Sequence, residues 1–190
     1  MIQMIKTNKK LVPHLSEIIE DEGIYVDISN KIKDDEIVII KVDDYYKSLK
    51  QNHGLKSVDF IVVVDCACNT FAMYLLEFKN IKKPKNLKFG EINEKFKNTI
   101  DDFLSIRFEN IFDNDKFRYK KIFLYLVSDL YKDRGDHENF EEYIKYRKKI
   151  GKKDTLKTEM NLANKLYKFR NHLLRIEFDF PPNPIICKVT

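Results

Sequence analysis

Two neighbouring apolar stretches constrain this chain more than any other feature in it. Phe60 to Val64 is a run of aromatic and β-branched residues, Phe71 to Phe78 is a second apolar run, and only Asp65 to Thr70 separates them. Runs of this kind form strands, and a short polar break between two of them is the pattern of a β-hairpin. Odd and even positions are apolar alike, so both faces of each strand need cover. The pattern points to central strands of a sheet with helices over either side.

The flanking sequence extends this reading. Pro13 suits the first turn of a helix, where its missing N–H is not needed. Leu11, Leu15, Ile18, Ile19 and Glu22 would share one side of a helix running to about Glu22, with Gly23 ending it. Glu36 to Val42 reads as a strand, and Asp43 to Ser57 as a polar connection containing Asn52-His53-Gly54. After the hairpin we expect a helix from about Glu91 to Phe108 and a buried strand at Lys121 to Ser128. Helices follow at about Glu138 to Lys149 and Thr155 to Arg170, then a strand at Leu173 to Phe180, stopped by Pro181, Pro182 and Pro184. The expected fold class is α/β, a mixed central sheet flanked by helices. We expect a single domain over 1–190, its core at about 11–128 and a C-terminal helical and strand elaboration at about 138–180.

Composition removes several classes. A chain of 190 residues, 43% hydrophobic with five glycines and five prolines, is not composed like a disordered or collagenous one. Cys66, Cys68 and Cys187 make no even disulfide framework, and Cys66-Ala67-Cys68 is too tightly spaced for the usual zinc pair. Free thiols in a reducing cytoplasm are the expectation. No apolar run nears the roughly 20 residues of a membrane span, and no basic-then-apolar leader opens the chain, so no membrane association is expected. The signatures of P-loop, dinucleotide-binding, zinc-protease and α/β-hydrolase chemistry are all lacking.

Chemistry gathers at one end of the hairpin. If Asp65 opposes Phe71, the same register sets Asp59 opposite Glu77. Directly opposed residues of an antiparallel pair share a face, and Lys79, two residues beyond Glu77, shares it too. Two carboxylates at about 5 Å Cβ separation repel unless a cation lies between them. Mg²⁺ suits two carboxylates with a backbone carbonyl, such as that of Phe78, and several waters. Lys79 beside it would orient or deprotonate an attacking water, or steady a pentavalent phosphate. The alternative is structural: Asp59 closes a loop, and Glu77 and Lys79 form a solvated pair worth about 1 kcal/mol or less.

Val58-Asp59, an apolar strand, a turn, a second strand and then Glu77-Phe78-Lys79 resemble the PD-(D/E)xK nuclease superfamily. The resemblance covers roughly Glu36 to Ser128, with Leu11 to Glu22 matching the preceding helix. It implies a restriction-endonuclease-like fold and Mg²⁺-dependent (or Mn²⁺-dependent) hydrolysis of nucleic acid, DNA in the first instance, by an endonuclease of restriction or defence type. It also implies Asp59, Glu77 and Phe78 as metal ligands and Lys79 as the residue assisting hydrolysis. Glu17 and Glu22 are the choices for a further acidic ligand. Val58 stands where the motif has proline, no Gln-x-x-x-Tyr follows, and there is no four-cysteine cluster. A homodimer would let two such sites cut both strands of a duplex. A catalytically silent binding domain of the same fold is the competing expectation.

The net charge of +5 is unevenly spread. Lys82 to Lys97 carries six lysines against two glutamates, and Lys145 to Lys157 seven basic residues against Asp154. Lys82, Lys83, Lys85 and Lys88 in the first tract, and Lys148, Lys149, Lys152 and Lys153 in the second, are candidate phosphate contacts. Solvated helix ends in a lysine-rich chain would look the same. His53, in the loop leading to Asp59, is a weaker candidate for the site.

Overall fold

The apolar hairpin forms the middle of a seven-stranded mixed sheet in a computed structural model, which describes residues 1–49, 55–80, 87–129, 140–149 and 164–189. In chain order the strands are β1 (Leu15–Ser16), β2 (Glu20–Asp21), β3 (Ile24–Tyr25), β4 (Ile37–Lys41), β5 (Phe60–Asp65), β6 (Thr70–Phe78), β7 (Arg118–Val127), β8 (Leu166–Phe169) and β9 (His172–Asp179). The described α-helices are α1 (Ile2–Thr7), α2 (Val42–Ser48), α3 (Phe89–Asn98), α4 (Glu109–Phe112) and α5 (Phe140–Lys149). The sheet order is β1-β4-β5-β6-β7-β9-β8, while β2 and β3 pair separately. The β1 to β6 pairings are antiparallel, β6–β7 and β7–β9 are parallel, and β9–β8 is antiparallel again.

The hairpin has the expected register, with Asp65 opposite Phe71 and Phe60 opposite Leu76. Alternation then sorts its side chains to two faces. Ile61, Val63, Met73 and Leu75 join a cluster with Ile5, Tyr46, Ile92, Phe96 and Phe103 from the helices. Phe60, Val62, Val64, Tyr74 and Leu76 join a second cluster, closed by Ile19, Ile24, Val26 and Ile186. Among the described residues the helices therefore cover one face. The other is covered by the β2–β3 ribbon and the C-terminal tail, where helices had been expected.

Other expectations need correction. The helix from Pro13 to Glu22 does not form: Val12–His14 is one 3₁₀ turn, after which Leu15 and Ser16 pair with the edge of β4. Glu20 and Asp21 then pair with Tyr25 and Ile24 about a turn at Glu22 and Gly23, both at positive φ (51° and 76°). Pairing with an open edge and burial of Ile19 and Ile24 outweigh the helical spacing there. The polar connection after β4 begins with α2, whose Val42, Tyr45 and Tyr46 are buried at helical spacing beneath an acidic and basic exterior. The helix expected to end near Arg170 gives way to β8, where exposed Leu166 and Lys168 alternate with buried Tyr167 and Phe169. The start of that expected helix, 155–163, lies outside the described residues.

The helix after the hairpin starts at Phe89 and changes character at Thr99, continuing as a π-helix over Thr99–Arg107. Side-chain bonds at five-residue spacing accompany the wider turn: Ser105 Oγ donates to Ile100 O at 2.8 Å, and Arg107 pairs with Asp102. Tyr46 Oη also donates to Asp102, at 2.6 Å, tying α2 to this segment. Buried Thr99 at the junction accepts from Val58 N–H at 3.0 Å and donates to Lys95 O at 2.8 Å. That hydroxyl links the helix to the strand entrance carrying Asp59.

Candidate metal and phosphate site

Asp59 immediately precedes β5, and its N–H donates to Leu76 O at 3.0 Å. The paired register ends at Phe60 opposite Leu76 and slips by one residue at Asp59, whose N–H meets Leu76 rather than Glu77; Glu77 is the penultimate residue of β6, and Lys79 lies just past the strand. Glu77 is fully buried and Asp59 is 8% exposed. The three residues singled out from the sequence do meet: Lys79 Nζ lies 2.6 Å from Glu77 Oε1, and Asp59 Oδ2 accepts from Phe78 N–H at 2.6 Å. Phe78 turns its ring to the opposite face, against Phe60 at 5.4 Å between centroids. Strand alternation keeps the Phe78 carbonyl on the same edge as its N–H, toward Asp59.

A fourth member, Lys95 of α3, was not anticipated. Its Nζ lies 2.8 Å from Glu77 Oε1, 3.0 Å from Glu77 Oε2 and 3.4 Å from Asp59 Oδ1, with the side chain 17% exposed. The signal was present in the helix, because buried Ile92, Phe96 and Thr99 mark a stripe that includes position 95. A lysine on such a stripe needs a buried acid to partner it. Glu77 Oε1 is the oxygen that both ammonium groups approach.

Burial dominates the electrostatics. It pushes the Glu77 carboxyl up to about 7, with the Asp59 charge adding to the rise and Lys95 and Lys79 opposing it. Asp59 is also raised by burial, against Lys95 and the Phe78 N–H. For Lys95 burial works against the charge, but Asp59 and Glu77 outweigh it and hold the ammonium more firmly protonated than an ordinary lysine.

Beside Asp59 a small cleft of about 50 Å³ is lined by Asp21, Lys41, Asp43, Asp44, Lys47 and Phe60. Asp21 and Asp43 thus come closer to the site's charge than the glutamates considered from sequence. Glu17 lines a different cavity of about 440 Å³, with Lys6, Leu15 and Ile37. Glu22 sits in the β2–β3 turn, and its backbone carbonyl accepts from Asn80 Nδ2 at 2.8 Å. Among the described residues no group of three or more His, Cys, Asp or Glu side chains is arranged to hold a metal ion. Asp59 and Glu77 fit Mg²⁺ as a sparse donor set, since that ion commonly binds through one or two carboxylates and keeps several waters.

The basic tracts are described only in part. Lys88 is exposed at the start of α3 and pairs with Glu91 at 3.2 Å, while Lys148 and Lys149 are exposed at the end of α5. Lys82, Lys83, Lys85, Lys152, Lys153 and His53 lie outside the described residues. Tyr143, close to the second tract in sequence, is buried against Phe180 at 5.6 Å between centroids. Among the described residues no helix is long and apolar enough to cross a membrane. Comparison with protein-family models, curated proteins and solved structures returned no match.

Proposed function

We propose that this chain hydrolyses phosphodiester bonds of nucleic acid in a Mg²⁺-dependent reaction, as a DNA endonuclease of restriction or defence type with a restriction-endonuclease-like fold. One observation carries the reading: two carboxylates, Asp59 and Glu77, are buried together at the end of the central hairpin and face lysines. Burying such a group of charges is expensive, and the bond from Phe78 N–H to Asp59 would need only one of the two acids. The element order supports the fold assignment: strand β4, hairpin β5–β6, helix α3 and then β7 running parallel to β6.

In this reading Asp59 and Glu77 hold the metal with the Phe78 carbonyl, and Mn²⁺ can replace Mg²⁺. The bound ion supplies a water of lowered pKa and stabilises charge on a phosphoryl oxygen. Lys79, as an ammonium beside Glu77, serves the phosphate by meeting the negative charge that grows on its oxygens. Water adds to phosphorus, the P–O ester bond breaks, and the proton from water ends on the leaving alcohol. Lys88, Lys148 and Lys149, together with Lys82, Lys83, Lys85, Lys152 and Lys153, are assigned to the phosphate backbone. Two chains acting as a homodimer would cut both strands.

Incubation with supercoiled plasmid, single-stranded DNA and RNA, each with Mg²⁺ and with EDTA, tests this. Mg²⁺-dependent nicking or linearisation is expected, and cleavage that persists in EDTA contradicts it. The second reading, a catalytically silent nucleic-acid-binding domain, is favoured by Lys95, whose ammonium already bridges the two carboxylates. Nucleic-acid binding without cleavage of any of the three substrates would select it.

A further inference from the structure

Resting on the metal-dependent reading above, we propose that Lys95 is a built-in counter-ion that holds the cation position between Asp59 and Glu77 and competes with divalent metal for it. One Nζ spans both carboxylates, at 2.8 and 3.0 Å from the Glu77 oxygens and 3.4 Å from Asp59 Oδ1. The side chain is anchored at its base, because α3 buries Ile92 and Phe96 around it and the Lys95 carbonyl accepts from Thr99, which in turn accepts from Val58 N–H. Lys79 reaches Glu77 from the rim with a side chain 30% exposed, whereas Lys95 bridges both acids from within.

Charge balance makes the two cations exclusive. Two carboxylates and two ammonium groups are neutral together. A divalent ion added beside both lysines would leave a net charge of +2 in a space screened poorly from itself. The acids of the adjoining cleft, Asp21, Asp43 and Asp44, share it with Lys41 and Lys47 and so offset at most one of those charges. Lys95 therefore keeps the metal affinity of the free protein low. A phosphodiester, bringing its own negative charge, gives the ammonium another partner and couples metal binding to nucleic-acid binding.

The test is Mn²⁺ binding in the absence of nucleic acid, read by the paramagnetic resonance of free Mn²⁺ at pH 8. Wild type, Lys95→Gln, Lys95→Met, Lys95→Arg and Glu77→Gln are compared, with circular dichroism melts confirming the fold. Lys95→Gln and Lys95→Met are expected to bind Mn²⁺ at least tenfold more tightly than wild type, Lys95→Arg about as wild type, and Glu77→Gln more weakly. Equal or weaker binding by both neutral variants, in a protein whose wild type binds Mn²⁺, overturns the competition and leaves the metal reading standing. Failure of every protein to bind overturns both. If the neutral variants do not fold, ¹⁵N-lysine spectra of wild type decide. Loss of the buried Lys95 ammonium signal on adding Mg²⁺ supports the proposal, and its persistence at saturating Mg²⁺ contradicts it.

Discussion

The two ends of one hairpin hold acidic side chains in opposite ways. At the turn, Asp65 is partly exposed, and its Oδ1 accepts from Ala67 N–H at 2.7 Å. Thr70 Oγ1 donates to Ala67 O at 2.6 Å, and Cys66 N–H donates to Thr70 O at 2.8 Å. These partners all lie inside the turn, where Ala67, Cys68 and Asn69 adopt positive φ of 72°, 53° and 56°. Such backbone is unusual for residues other than glycine, and the Asp65 and Thr70 bonds hold it. At the other end Glu77 is fully buried, shares Lys95 with a second acid, and has in that lysine a partner from a helix eighteen residues further along the chain. Asp65 has a local task that explains its presence. Asp59 and Glu77 instead draw their partners from across the hairpin and from α3, Asp59 from Phe78 N–H and Lys95 and Glu77 from Lys79 and Lys95, and this buried cluster is the one the proposed function uses.

Substitutions at the two ends of the hairpin should have different effects. Lys79→Ala should lower Mg²⁺-dependent cleavage by about a thousandfold, within the range for loss of a group that meets transition-state charge, while the melting temperature changes little. Cleavage within a few-fold of wild type would remove Lys79 from the chemistry. Lys95→Ala should destabilise the metal-free protein by about 3 kcal/mol, since it leaves Asp59 without an ammonium and Glu77 with Lys79 alone, and urea denaturation measures this. A loss below about 1 kcal/mol would mean that the bridge carries little energy.

The pH dependence follows from Glu77, whose folded pKa of about 7 lies above its ordinary value of 4.5. The folded protein binds the extra proton between these values. The contribution of Glu77 to stability is therefore fully present below about pH 4.5 and lost as pH rises through about 7. Its loss is on the order of 3 kcal/mol. Asp59, raised by burial as well, acts in the same direction. Denaturation in EDTA at pH 5 and pH 8 should show wild type losing more stability than Glu77→Gln over that interval, and matching slopes would contradict the assignment. At the turn, Asp65→Ala should cost about 1 kcal/mol for one hydrogen bond and leave cleavage unchanged.

The sheet's centre was legible because hydrophobic runs leave few choices: the hairpin register, β7 and β9 all follow from apolar strands bounded by turn residues. That register brings Asp59 and Glu77 to the same end of the hairpin, although the ladder slips by one residue at Asp59. Where the chain was misread, tertiary contacts overrode local pattern. Residues 13–22 have helical spacing, yet Leu15 and Ser16 complete the edge of β4 and Ile19 caps the second core. Tyr45 and Tyr46 were hidden in a stretch that looked polar because Asp43, Asp44 and Lys47 form the outer side of a single short helix. Lys95 was counted as one charge in a basic tract. Its burial depends on where α3 crosses the hairpin, a tertiary fact that its local sequence marks only by the apolar stripe around it.

The proposed function places chemistry at the buried end of the hairpin. Its most direct measurement is the cleavage rate of Glu77→Gln beside wild type and Asp65→Ala, with Mg²⁺ in excess and all three proteins shown to be folded by melting. Mg²⁺-dependent cleavage by wild type and Asp65→Ala at similar rates is expected, with a loss of about a thousandfold or more in Glu77→Gln. Equal cleavage by wild type and Glu77→Gln would contradict it.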